Sequence, residues 1–163
     1  MSANSPVLPH IDFDSESLKL RLKMEFPADM ARLSEVVDGI MKVVSAMECA
    51  CGHESEIDLA LREALANAVI HGARKDPGKT VECRVACEEQ HGMLIVVSDP
   101  GDGFDPATVA DPLHADNLYS NHGRGIFLIN RLMDQVEYKK GGTEIHMRKR
   151  PKPPADEKTC GMG

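Results

Sequence analysis

Met93-Leu94-Ile95-Val96-Val97-Ser98 is followed at once by Asp99-Pro100-Gly101-Asp102-Gly103-Phe104. A continuous apolar run of this length, closed by turn residues, reads as a strand at a buried, central position in a sheet. Just upstream, Val81, Cys83, Val85 and Cys87 alternate with polar residues in the stretch TVECRVACEE, and His91-Gly92 makes the turn between the two strands. Farther upstream, SLKLRLKMEF at 17–26 places Leu18, Leu20, Leu22, Met24 and Phe26 on one face and Lys19, Arg21, Lys23 and Glu25 on the other. That is the pattern of a half-buried antiparallel strand.

Two helices separate that first strand from the pair. Pro27 ends the strand, and Asp29 caps a helix whose apolar positions Met30, Leu33, Val36, Val37, Ile40, Val44 and Met47 recur at three and four. Ser55 begins a second helix in which Ile57, Leu59, Ala60, Leu61, Ala64, Leu65, Ala68 and Val69 are apolar, with Gly72 closing it. Downstream of the central strand, residues 99–123 form a long loop rich in Gly, Pro, Asp, Asn and His, and loops of that length in a small domain are usually functional lids or disordered. A third helix is expected from about Arg124 to Asp134, then a hairpin of Gln135 to Lys140 and Thr143 to Arg150 across Gly141-Gly142. This order predicts an α+β two-layer sandwich, with a mixed, mainly antiparallel sheet covered on one face by helices. The chain divides into a flexible tail at 1–16, one domain at 17–150 and a second tail at 151–163.

Composition narrows the function. The 163 residues suffice for one core, and nineteen Lys and Arg against twenty-six Asp and Glu leave a formal charge of -7. That charge argues against a grip on the phosphate backbone of nucleic acid. The start lacks a basic and apolar leader, and no window is apolar enough to cross a bilayer, so the chain reads as soluble and cytoplasmic. Five cysteines, Cys49, Cys51, Cys83, Cys87 and Cys160, are an odd number and read as reduced thiols. Cys49, Cys51 and His53 offer soft metal ligands, but a closed zinc site needs a fourth, and a plain loop between helices is the stronger reading.

Three short segments carry chemistry. Glu63 and Asn67 stand four apart on the second helix and share one of its faces. The Asn oxygen suits a Mg²⁺ already bound to phosphate, and the Glu can act as a general base. An ordinary helix with one exposed Glu and one exposed Asn would show the same spacing. In the second segment, Asp99 at the end of a strand can accept a hydrogen bond from an exocyclic amine, and the following glycines admit a ligand close to the backbone. The third is Gly123-Arg124-Gly125-Ile126, which opens the third helix where backbone N–H groups favour an anion. The chain has no GxxxxGK[ST] loop, so phosphate binding must be built in some other way.

Taken together and in this order, the segments resemble the GHKL superfamily of gyrase, heat-shock chaperone, histidine kinase and mismatch-repair ATPases. Within it they most resemble the bacterial anti-sigma-factor serine/threonine kinases, over about Leu18 to Arg150. The family's N box, Glu-x-x-x-Asn, falls on Glu63 and Asn67, and Asn67-Ala68-Val69-Ile70-His71-Gly72 is also like the anti-sigma kinases. The first glycine box falls on Asp99, Gly101 and Gly103, followed by Phe104. The second falls on Gly123 and Gly125, within Gly123-Arg124-Gly125-Ile126-Phe127-Leu128-Ile129, and Thr143 fits the family's Thr near the adenine.

The resemblance implies ATP and Mg²⁺ as cofactors, Glu63 as general base, Asn67 as the magnesium ligand and Asp99 as the reader of the adenine amine. It further implies phosphorylation of a Ser or Thr on a small STAS-type antagonist, a sigma factor as second partner, and a homodimer paired through the first strand or first helix. Two other functions are compatible with an ATP-binding domain: a histidine-kinase catalytic domain, for which no phosphoacceptor hairpin is found, and a non-catalytic module that grips a partner according to nucleotide state. His71 can be nominated as phosphoacceptor for the former, but it reads better as a polar residue near a helix end.

Overall fold

The computed structural model describes residues 20–46, 50–88, 92–103 and 121–150. The elements are β1 (Leu20–Pro27), α1 (Leu33–Ser45), α2 (Glu54–Asn67), β2 (Thr80–Glu88), β3 (Gly92–Ser98), α3 (Asn121–Leu132), β4 (Gln135–Lys139) and β5 (Glu144–Lys149). They form one five-stranded sheet in the order β1-β2-β3-β5-β4. The apolar run at 93–98 is the middle strand, buried from Gly92 to Val97. The expected α+β sandwich is the observed one, and every neighbouring pair of described strands is antiparallel. The chain leaves β3, passes through α3 and returns at the far edge, so β4 pairs with β5 and no parallel contact with β3 arises.

Boundaries follow from local chemistry. Asp29 caps as expected, its side chain accepting from Ala31 N at 2.9 Å, but it caps a short 3-10 turn at Met30–Arg32 that leads into α1. α3 starts earlier than the sequence predicts, at Asn121, so Gly123 and Arg124 lie inside its first turn and do not open it. The tails, residues 17–19 of the first strand, Met47 to Cys49, the His91 turn residue and most of the long loop lie outside the described residues.

The core is the seam between the helices and one face of the sheet. Val81, Cys83, Val85, Met93, Ile95, Val97, Ile145 and Met147 meet Ile40 and Val44 of α1, Ile57, Leu61 and Leu65 of α2, and Ile129 of α3. α2 lies between α1 and α3. Arg62 joins α2 to α1 through Asp38 at 3.1 Å and braces its own helix through Asp58 at 2.6 Å. Such part-exposed pairs contribute about 0–1 kcal/mol, so burial dominates the packing. On the other side of α2, the buried Lys149 donates to Leu132 O at the C-terminal end of α3 and pairs with Glu56. A cation there satisfies a terminal carbonyl and complements the helix dipole.

The cysteines depart from the reduced set expected. Cys51 and Cys87 are each disulfide-bonded, whereas Cys83 is a free, buried thiol whose pKa burial pushes up to about 12. Cys51 therefore offers no thiolate to a metal in this structure. Sequence spacing could not reveal this, because pairing depends on distances that only the fold sets. Among the described residues, no helix is long and apolar enough to cross a membrane.

Leu61 is fully buried at the helix–sheet seam. Leu61→Ala is expected to cost about 2–5 kcal/mol of stability, read as a lower midpoint in urea unfolding.

Candidate functional site

α2 does not end as a plain α-turn. Ala68–Gly72 continue it in π geometry, with Ala73 N donating to Ala68 O at 2.8 Å. π turns recur at functional sites because the extra residue re-aims the chain. Here the turn brings Gly72 against the end of β3, where a Cβ on it would lie 2.2 Å from Asp99 Cγ. Arg74 and Lys75 then take left-handed conformations, and the helix stops.

Past β3, Asp99 continues the ladder by donating its backbone N–H to Thr143 O at 2.9 Å. Its Oδ1 turns back to accept from Gly101 N at 2.8 Å. Burial raises the Asp99 carboxyl above the ordinary range, and the Gly101 bond opposes that rise. Gly101 is closely hemmed in, for a Cβ there would stand 2.4 Å from Gly72 O. Gly103 has φ +82 and lies so near the β4–β5 turn that a Cβ would meet Gly141 O at 1.9 Å. Both glycines are thus required by close approach of backbone to backbone.

Gly125 of α3 is buried against the Glu63 and Asn67 face of α2. A Cβ there would lie 2.9 Å from Glu63 Oε2 and 3.1 Å from Asn67 Nδ2. Three segments far apart in the chain therefore converge. Between them opens a cleft, lined from α2 and the π turn by Ala64, Asn67, Ala68, His71 and Gly72, and from β3 and its turn by Val97, Asp99 and Gly103. Ile126 and Ile129 of α3, Tyr138, Gly142, Thr143 and Ile145 complete it. The lining is apolar, with a few polar groups placed around it, as in small-molecule sites generally.

Of the residues singled out in the sequence, Asn67, Asp99, Gly103, Ile126 and Thr143 line this cleft. Gly101 and Gly125 shape it through their backbones. Glu63 lies beside Gly125 and is not part of the lining. Gly123 and Arg124 fall in the first turn of α3, where unpaired N–H groups are available. Arg124's side chain and Phe104 lie outside the described residues. The sequence reading missed the π turn, and it missed Tyr138, whose hydroxyl burial pushes up to about 12. Among the described residues, no group of three or more His, Cys, Asp or Glu could hold a metal ion. Asn67 lines the cleft, and its carboxamide oxygen is a neutral hard donor of the kind that suits a magnesium ion held mainly by phosphates and water.

Gly72 and Gly39 make an internal contrast, since nothing lies within 4 Å of a Cβ added at Gly39. Gly72→Ala is expected to destabilise by about 1–3 kcal/mol by displacing the Asp99 carboxylate. Gly39→Ala, inside α1, is expected to stabilise by about 0.5–1 kcal/mol. Urea midpoints of the two variants measure the difference in sign.

The profile of the histidine kinase-like ATPase domain family matches residues 26–149. Among curated proteins, the chain is 28% identical over 138 residues to the serine-protein kinase RsbW of Bacillus subtilis, covering 78% of this chain and 84% of that protein. It is 30% identical over 137 residues to the RsbW of Staphylococcus epidermidis and 31% identical over 136 residues to that of Staphylococcus aureus RF122, in each case covering 78% of this chain and 85% of the relative. With this match over residues 26–149, the chain belongs to the histidine kinase-like ATPase domain family, with RsbW serine kinases among its relatives.

Proposed function

We propose that the chain is an anti-sigma-factor-type serine/threonine protein kinase that binds Mg-ATP and phosphorylates a Ser or Thr on a small STAS-type antagonist protein. The observation that carries the reading is the packing of Gly125 on Glu63 and Asn67, which sets an anion-favouring helix start beside a carboxylate and a carboxamide. The adenine would lie toward Asp99 and Thr143, with its exocyclic amine on the Asp99 carboxylate. The phosphates would run toward the first turn of α3. Asn67 would hold the magnesium ion, which supplies neutralisation of the phosphate charge. Glu63 would take the proton from the acceptor hydroxyl as it approaches the γ-phosphorus, and the remaining work is positioning.

A sigma factor as second partner, a homodimer and a cytoplasmic setting belong to the same proposal. The kinase part of the proposal is supported by the names of the RsbW relatives, which are serine-protein kinases. Glu63 also favours proton abstraction from a hydroxyl over a role limited to gripping a partner.

Incubation with Mg-ATP and a candidate antagonist should yield acid-stable phosphoserine or phosphothreonine on the partner. Acid-labile phosphohistidine would overturn the reading in favour of a histidine-kinase type, and binding without transfer would favour a nucleotide-dependent module. Glu63→Gln should retain nucleotide and lower transfer about 10²–10⁴-fold, and an unchanged rate would remove Glu63 from the base role.

Recognition of the adenine amine requires ionised Asp99, whose carboxyl is raised by burial against the opposing Gly101 bond. Affinity for ADP should therefore fall on acidification at a higher pH than for an exposed aspartate. Calorimetric titration across pH should show that step in the parent and its loss in Asp99→Asn.

A further inference from the structure

On the face of the sheet away from the helices, Glu144 opens β5 with its side chain only 6% exposed. Its Oε2 accepts from Ser98 Oγ at 3.0 Å, with Lys140 Nζ at 3.2 Å and Arg84 Nη2 at 3.5 Å. Its Oε1 lies 2.6 Å from His146 Nε2. Burial alone would raise this carboxyl, but the contacts from His146, Ser98 and Lys140 outweigh it and bring the pKa down to about 2. Neighbouring Leu94 and Val96 on the same face are buried apolar side chains, so an aliphatic residue at 144 would suit a purely structural strand. Buried ion clusters add little net stability and are better suited to setting geometry.

None of these groups lines the cleft, yet their chain neighbours do. Ser98 lies between Val97 and Asp99, and Glu144 between Thr143 and Ile145; all four of those neighbours are lining residues. Strand alternation explains this, since consecutive side chains point to opposite faces. Ser98 and Glu144 are register partners, and the next step of the ladder is the Asp99 N to Thr143 O bond. Lys140, the third anchored residue, accepts at its carbonyl from Thr143 Oγ1 at 2.9 Å.

We propose that Glu144 is a positioning residue for the cleft: through Ser98 and Lys140 it sets the separation of Asp99 and Thr143, and so the preference for a 6-amino over a 6-oxo purine. The inference rests on the nucleotide reading given above and names what tunes the base specificity of that site.

The test measures the affinity of the full chain for ATP and for GTP, with Mg²⁺ present. Glu144→Gln should weaken ATP about tenfold, the effect of losing a hydrogen bond to a charged group, and lower the ATP-over-GTP preference by a similar factor. Ser98→Ala, which cuts only the link to the Asp99-bearing strand, should shift the preference about threefold in the same direction. Asp38→Asn breaks an ion pair with Arg62 between α1 and α2, away from the Glu144 cluster, and should leave the preference unchanged. A fall in melting temperature with an unaltered ATP-over-GTP preference in Glu144→Gln and Ser98→Ala overturns the proposal. Should Glu144→Gln not fold, the preference of Ser98→Ala decides it. If the parent chain binds neither nucleotide, the nucleotide reading itself fails and this inference falls with it.

Discussion

A carboxylate and a backbone lie closer together at Gly72 and Asp99 than any side chain on Gly72 would allow, since an added Cβ would sit 2.2 Å from Asp99 Cγ. The rest of the cleft depends on this approach. It holds the end of β3 against the π turn of α2, and it lets Gly101 pack on Gly72 O. Gly125 makes the equivalent approach from α3 to Glu63 and Asn67. Three walls are thus joined through glycines, and the space between them is what a ligand can use. Each approach trades side-chain packing and backbone entropy for proximity, a trade expected where a backbone must reach a ligand.

The two faces of the sheet have different tasks. The helix-facing side is an apolar seam that makes the domain stable, with fully buried residues from α1, α2 and α3 meeting β2, β3 and β5. Lys149 is a buried charged residue on that side, tying β5 to α2 and α3 at once. The opposite side carries charges, and Glu144 gathers Ser98, Lys140, Arg84 and His146 around one carboxylate. Because side chains alternate along a strand, fixing that far face also fixes the backbone at the rim of the cleft.

Much of the architecture was legible in the residues. The apolar run at 93–98 became the central strand, the alternation at 81, 83, 85 and 87 became its antiparallel neighbour, and Asp29 capped where a cap was expected. These are local properties, set by side-chain period and by short-range hydrogen bonding. The glycine boxes were legible as positions where backbone must approach something, though not as to what. The start of α3 was misjudged by a few residues, because helix ends are weakly encoded. The oxidised state of Cys51 and Cys87 was misjudged because no spacing rule reports distance in space.

The sequence by itself determined the elements, their order, the α+β class and the three segments that could bear chemistry, because periodicity, turn residues and motif spacing act over a few residues at a time. Tertiary structure alone decided that the π turn brings Gly72 to Asp99, that Gly125 meets Glu63 and Asn67, that Tyr138 joins the cleft, and that Glu144 anchors its rim from the opposite face. Each of these is a contact between residues tens of positions apart, set by how layers pack and by backbone approaches of under 3 Å to an added Cβ, and no local pattern carries that information.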